Sequence, residues 1–303
     1  MNVYWIDSYK EYDPALVESV MGLFMNYYGP LLKEFKLNFQ VVDITELQVE
    51  QNRIIYKQSD LLVEDAIAYI NCTNPSLETE KLQKDLYDLA IKSKKLSVLN
   101  YFSQYPLVDK NKLIAINLAL ELGIKTIETI NLENPKANKK IIHEIEDKFI
   151  YPVVIKPVDM FGGIAVQIVN NTEQLSALLE ILTFCNRKFI AQKKLSIVSD
   201  CRVYIADFEF LSCLKRTPKN SAGLGNIAKG ATTSVFTPPP NVIADSIKIA
   251  RKINATFLCV DWFEMHNEGF IFSEIETAGG FVQLPEKDRK KVAQKLFRWR
   301  PNE

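Results

Sequence analysis

The sequence predicts an α/β protein whose C-terminal half takes on α+β character. Three observations carry this. Strand-length apolar runs alternate with helix-period stretches over the first hundred residues or so. The stretches 200–216 and 257–276 read as antiparallel strand pairs. The composition, 47% apolar and 24% charged over 303 residues, is that of a globular chain with room for two or three compact units.

Residues 3–6 (VYWI) form a short apolar strand. A helix follows over about 14–34, with Leu16, Val20, Leu23, Phe24 and Tyr27 on one stripe. FQVVDI (39–44), AIAYINC (66–72) and LSVLN (96–100) are further strands, and 76–93 is a charged amphipathic helix. This alternation predicts a small parallel α/β domain over residues 1 to about 100. It contains no G-x-G-x-x-G, so nothing marks a dinucleotide site.

DKNKLIAINLALELGIKTIETI (109–130) is a helix ended at Gly123 and then a strand, and polar 131–148 leads into a second helix. YPVVIKPVDMFGGIAVQIVNN (151–171) is two strands around a loop with Gly162 and Gly163. Asn171 caps the next helix, to about Leu182, with Gln174 placed for a capping box. KFIAQKKL (188–195) is a strand entering a connector, and 218–230 is a flexible loop. TPPP (237–240) stops the chain before a helix at 241–253, and a basic helix spans 286–298.

Lys plus Arg and Asp plus Glu number 37 each, so no net field favours nucleic acid or an anionic membrane. No apolar run approaches the ~20 residues that cross a bilayer, and the N-terminus has no secretion signal pattern. Cys72, Cys185, Cys201, Cys213 and Cys259 are scattered and odd in number, which suits reduced thiols in a cytoplasmic protein. With only His143 and His266, both read as surface residues, histidine-rich zinc sites and His-dependent triads are disfavoured.

The chemistry centres on FLCVDWFEMHNEGFIFSEIETAGGFVQL (257–284). Strands over 257–263 and 270–276 place Glu274 and Glu276 on one face. A two-residue turn at Asn267-Glu268 sets Asp261 opposite Glu274, whereas another turn shifts the register by one and sends Asp261 to the other face. Three carboxylates on one patch suit Mg²⁺, with an acidic face turned to water as the alternative. Lys156 ends the run VVIKP beside the glycines, where an ammonium and backbone N–H groups can meet a polyphosphate. Lys112 begins a helix, Arg202 and Arg216 alternate along 200–216, and Asn226 and Lys229 lie in the 218–230 loop. Each also has an ordinary surface explanation on its own.

Their order resembles the ATP-grasp superfamily, specifically the glutathione synthetase and RimK-like carboxylate–amine ligases, over about residues 96–285. NKLIAINLALELGI resembles the D-K-L helix, and PVVIKPVDMFGGIAV the strand–Gly loop–strand segment, making Lys112 and Lys156 the two nucleotide lysines. FIAQKKL resembles the adenine-side connector, so Gln192, Lys193, Lys194 and Leu195 line the base. DCRVYI resembles D-x-R, with Asp200 near ribose and Arg202 toward the γ-phosphate, while NIAKGA resembles N-x-x-R-G-G. CVDWF and FSEIETAGG resemble the metal-binding D and E-x-N elements, with Glu276 where asparagine is usual. Met160 and Ala165 replace usual glycines, Lys193 replaces a glutamate, and Leu224-Gly225 stands where an arginine commonly precedes Asn226.

The resemblance implies an ATP-grasp fold with a Rossmann-like N-terminal domain. Its boundaries are 1–100, a central subdomain at 101–190, and a C-terminal subdomain at 191–303 with the metal site. ATP and Mg²⁺, with Mn²⁺ as the alternative ion, are the implied cofactors. Asp261, Glu274 and Glu276 are the implied metal ligands, Gly162, Gly163 and Asn226 phosphate contacts, and Arg202, Arg216 and Lys229 the catalytic set. The implied reaction joins a carboxylate to an amine on a small molecule or peptide through an acyl phosphate. An ATP-binding regulatory module and a phosphotransferase stopping at phosphorylation are the rivals. Substrate determinants are placed around Tyr27 and Tyr28 and around Phe281 and Gln283. Nucleic acid and membrane are not expected as partners, and self-association is left open.

Overall fold

A computed structural model describes all residues except 9–13, 72–76, 101, 103, 106, 133–138, 161–162, 164, 186, 219–231, 278–279 and 299–303. The chain divides into two compact units, Met1–Ser103 with Glu286–Glu303, and Gln104–Pro285.

In the first unit, β1 (Asn2–Asp7) and β2 (Asn38–Asp43) pair in parallel. Between them run α1 (Pro14–Leu23), a π-helical turn over Phe24–Tyr28, and α2 (Gly29–Glu34). The π turn revises the predicted stripe. It inserts a residue per turn, so the buried face passes through Phe24, Tyr28, Leu31 and Leu32, while Leu23 is exposed. Trp5 receives it, with ring centroids 5.0 Å from Phe24 and 5.9 Å from Tyr28.

A small antiparallel meander follows, β3 (Leu47–Glu50), β4 (Arg53–Tyr56) and β5 (Ser59–Asp60). It was not expected. Its second turn is built by Lys57 and Gln58, both at positive φ, rather than by the Asn-Gly pair that marks such hairpins. β6 (Ala66–Asn71), α3 (Leu77–Lys92) and β7 (Leu96–Val98) complete a four-stranded parallel sheet in the order β2-β1-β6-β7. Its core gathers Tyr4, Ile6, Val42, Ile70, Leu86 and their neighbours.

The second unit opens with α4 (Lys112–Glu121), whose N-terminus is capped by the Asn111 side chain accepting from Leu113 and Ile114. β8 (Thr129–Leu132), β9 (Val153–Pro157), β10 (Gln167–Val169) and β11 (Phe189–Lys193) make an antiparallel sheet in the order β10-β9-β11-β8. α5 (Lys139–Lys148) and α6 (Thr172–Leu182) share its core, through Ile145, Leu175 and Leu179. Asn171 caps α6 by accepting from the Gln174 amide. The Gln174 side chain returns to the amide of Asn170, one residue earlier than a standard capping box.

A five-stranded antiparallel sheet follows, from β12 (Ile197–Ala206), β13 (Glu209–Thr217), β14 (Thr232–Val235), β15 (Phe257–Met265) and β16 (Gly269–Glu276), in the order β14-β13-β12-β15-β16. α7 (Pro240–Lys252) covers one face, where the Trp262 indole donates to Ser246 Oγ at 3.0 Å. The other face carries the charged residues considered next. α8 (Glu286–Leu296) groups with the first unit and packs on α2, a different grouping from the boundary 191–303 read from sequence. No helix among the described residues is long and apolar enough to cross a membrane. Their cysteines are free thiols, and His143 and His266 are exposed.

Candidate active site

The β15–β16 hairpin fixes the geometry through two departures that cancel. Its turn spans three residues, 266–268, with Asn267 and Gly269 at positive φ, and pairs Met265 with Gly269. Carried along the strands, that register would put Asp261 opposite Ser273. A β-bulge between Asp261 and Trp262 absorbs one residue of β16, so Asp261 pairs with Glu274 and Cys259 with Glu276. Asp261, Glu274 and Glu276 therefore share a face, as the sequence predicts, but by a turn plus a bulge rather than by a two-residue turn.

Cross-strand rows organise this face, since directly opposed side chains lie about 5 Å apart. One row reads Arg202, Asp261, Glu274; the next reads Tyr204, Cys259, Glu276; Arg216 and Asp200 pair on the other flank. Arg202 grips Asp261 with two hydrogen bonds, Nε to Oδ1 at 2.8 Å and Nη2 to Oδ2 at 2.7 Å. Arg216 Nη2 adds a third at 2.8 Å and reaches Asp200 at 2.6 Å. Asp261 is 2% exposed, and burial alone would raise its pKa, yet the two guanidiniums hold it down at about 2. Burial and the Asp261 charge push Asp200 upward against the pull of Arg216.

This differs from a set of three carboxylates open to a cation. Both oxygens of Asp261 are already hydrogen-bonded to arginine, and no group of three or more His, Cys, Asp or Glu among the described residues is arranged to hold a metal. Glu276 is less satisfied. Arg202 Nη2 stands 3.6 Å away, and burial, against that attraction and with Glu274, Asp261 and Asp109 adding repulsion, raises its pKa to about 7. A hard divalent cation beside Glu274 and Glu276 would offset that crowding, so these two acids fit one.

The lysines come together opposite the acids. The α4 N-terminus is tied to the end of β9 by the Lys112 amide donating to Val158 O at 2.9 Å. The Lys112 ammonium lies 3.7 Å from Glu274 and donates to the carbonyl of Met160. Lys156 is half-buried, and burial, with repulsion from Lys112 outweighing attraction to Glu274, lowers its pKa to about 8. Two ammonium groups beside one glutamate, with Lys156 destabilised by burial and by Lys112, make an anion-binding arrangement.

Gln192 is buried and its amide donates to Thr129 Oγ1 at 2.8 Å. Lys193 and Lys194 are exposed, and Leu195 packs against an apolar cluster of Ile127, Met265 and Ile271. Gly163 has φ +73°, a conformation that favours glycine, whereas Gly162, Asn226 and Lys229 lie outside the described residues. Two participants were missed in the sequence. Asp109 accepts from Thr277 Oγ1 at 2.8 Å and repels Glu276. Tyr204, whose hydroxyl donates to the Gly280 carbonyl at 2.6 Å, belongs to no motif in the sequence. Asp109 sits directly before the DKL-like helix, which was the available signal.

Among curated proteins, the uncharacterized protein MG011 homolog of Mycoplasma pneumoniae is 27% identical over 132 residues, 43% of this chain and 45% of that protein. The matches cover less than half the length of each of the curated relatives. The macrocyclase MdnC bound with precursor peptide MdnA, from Microcystis aeruginosa, superposes with a TM-score of 0.63 at 17% identity, covering 99% of this chain and 100% of that one. D-alanyl-alanine synthetase A from Vibrio cholerae gives 0.73 at 9% identity, covering 98% and 99%. Residues 109–299 match the RimK-like ATP-grasp domain, which takes in every site residue discussed above. The chain belongs to the RimK-like ATP-grasp family.

Proposed function

We propose that this protein is an ATP-dependent carboxylate–amine ligase that forms an amide through an acyl phosphate and releases ADP and phosphate. The observation that carries the reading is the convergence of Lys112 and Lys156 on Glu274, next to the row in which Arg202 holds Asp261. Paired ammonium groups lacking enough negative charge of their own suit a triphosphate.

Family membership and a neighbour described as complexed with Mg and ADP support ATP and Mg²⁺ as the ligands. Glu274 and Glu276 would hold the ion, with Asp261 behind them as the anion that orders the arginines. The ion would neutralise charge on the phosphate oxygens. Lys112 and Lys156 orient the triphosphate, and Arg202 adds positive charge where charge develops on the transferring group. A substrate carboxylate oxygen bonds to the γ-phosphorus as its bond to the β,γ-bridging oxygen breaks, giving acyl phosphate and ADP. An amine then bonds to the acyl carbon, phosphate leaves, and the nitrogen loses a proton. Gln192 to Leu195 would border the base, and Gly162, Gly163, Asn226 and Lys229 the phosphates and acyl group.

Solved relatives by fold act on peptides or amino acids, as their names state, so acids and amines from both groups belong in the screen. The test is ADP release and amide formation, followed by mass spectrometry. Glu274→Gln and Lys156→Ala should each abolish substrate-dependent ADP release with the fold intact by circular dichroism. Turnover at the wild-type rate in either variant overturns the reading. Nucleotide binding without turnover on any pair favours a regulatory module.

A further inference from the structure

Lys112 and Glu274 come from different elements, and the fold must set the distance between them. The ammonium stands 3.7 Å from the carboxylate, beyond hydrogen-bond range, and donates to the Met160 carbonyl. Lys112 opens α4, so the axial position of that helix decides where its side chain starts. Ala115, Ile116, Leu118 and Ala119 bury the helix, but apolar contacts are not directional and resist sliding less sharply than a hydrogen bond does.

Two hydrogen bonds from the residues flanking α4 supply direction. Beyond its C-terminal end, the Lys125 carbonyl accepts from the Phe272 amide at 3.0 Å, beside a parallel bridge between Thr126 and Phe272. Before its start, Asp109 Oδ2 accepts from the Thr277 hydroxyl at 2.8 Å. On the acidic strand the ties fall at residues 272 and 277, with Glu274 between them. On the helix side they fall at 125 and 109, with Lys112 between them. The second tie is made by side chains alone. Thr277 is buried where valine would fill the same place, so packing does not call for a hydroxyl. An acid ahead of a helix also suits its positive end, but that requires no bond to a threonine.

We propose that Asp109 and Thr277 are positioning residues whose hydrogen bond sets the register of α4 on the end of β16, and so places Lys112 against Glu274 for the phosphates of a nucleotide. The proposal rests on the nucleotide-binding part of the ligase reading and adds the device that aligns lysine with acid. Neither side chain has to touch the nucleotide. Misplacing an orienting group by about 1 Å can cost about a hundredfold in rate, so a small slip of the helix is readable.

The test uses Thr277→Val, Thr277→Ser, Asp109→Ala and the Thr277→Val, Asp109→Ala double variant in the full chain. In ligand-free protein, amide hydrogen exchange over 111–116 should quicken in Thr277→Val while β12 and β15 exchange as in the wild type. Calorimetry should show Mg·ADP affinity falling about three- to tenfold, the equivalent of one hydrogen bond, with Thr277→Ser within about twofold of wild type. Asp109→Ala should weaken ADP as well, although on charge alone the loss of an acid would tighten it. Thr277→Val should cost nothing further in the Asp109→Ala background, because the two residues act as one pair. If Thr277→Val does not fold, Asp109→Ala carries the same exchange and affinity readouts. Additive losses, or faster exchange through the whole sheet, overturn the proposal by marking Thr277 as core alone. Unchanged exchange over 111–116 overturns the tie, and unchanged ADP affinity overturns its role toward the nucleotide. A wild type that binds no Mg·ADP overturns the nucleotide reading itself, a result distinct from a binding wild type whose variants bind equally well.

Discussion

Two charged regions on the same face behave in opposite ways. Around Asp261 both carboxylate oxygens are met from within: Arg202 and Arg216 supply three hydrogen bonds at 2.7–2.8 Å, and Arg216 reaches on to Asp200. Around Glu274 the balance is left open. Lys112 approaches only to 3.7 Å, Lys156 is pushed down to about 8, and Glu276 is pushed up to about 7. The first region is a strut, and under the proposed function the second is a socket for the charges of a nucleotide and its metal ion. Compensation within the fold marks structure, and its absence marks binding.

Breaking the strut should have the largest effect. Asp261→Asn leaves two buried guanidiniums facing a neutral amide, so stability should fall by about 3–5 kcal/mol. Urea titration followed by tryptophan fluorescence reads this, and an unchanged midpoint would show that Asp261 is not the keystone. Lys156→Met should do the reverse. It removes a half-buried, repelled ammonium, so the ligand-free protein should keep or gain melting temperature while ATP affinity falls by about a hundredfold or more. Loss of stability together with affinity would place Lys156 in the strut instead.

The hairpin shows how far a sequence can be read. The face shared by Asp261, Glu274 and Glu276 follows from period-two alternation and from residues that bracket a turn. The three-residue turn and the bulge at Ser273 each move the register by one, and nothing in FIFSEIE distinguishes them from a straight pairing. The arginine clamp on Asp261 was equally hidden, because it joins residues 45 and 59 positions apart through a strand register that no local pattern encodes. The lysines were legible, since Lys112 opens a capped helix and Lys156 ends an apolar run. The π turn at Phe24–Tyr28 and the Lys57-Gln58 turn escaped for the same reason: each uses residues with no special propensity for the shape they take.

Smaller effects sharpen the contrast through pH. Glu276 binds its proton more tightly when folded, near 7 against an ordinary value of 4.5, so its contribution is present below 4.5 and is lost as pH rises to about 7. In metal-free protein, Glu276→Gln should remove that decline, worth about 1–3 kcal/mol, from a stability profile over this window. Lys156 has the opposite sign. Its folded pKa lies below the ordinary 10.5, so the unfolded chain holds more protons between about 8 and 10.5 and stability should rise across that interval. Smallest of all, Lys125→Met removes an exposed 3.5 Å pair with Glu268 and should leave the melting temperature unchanged.

The socket is tested most directly by calorimetry of Mg·ATP binding at pH 8.5 in buffers of different ionisation enthalpy. Triphosphate seated on Lys156 should restore its proton, so wild-type binding enthalpy should vary with the buffer in the sense of proton uptake, and Lys156→Met should bind weakly without that dependence. Tight binding by the variant, or wild-type binding with no proton taken up, would contradict the account.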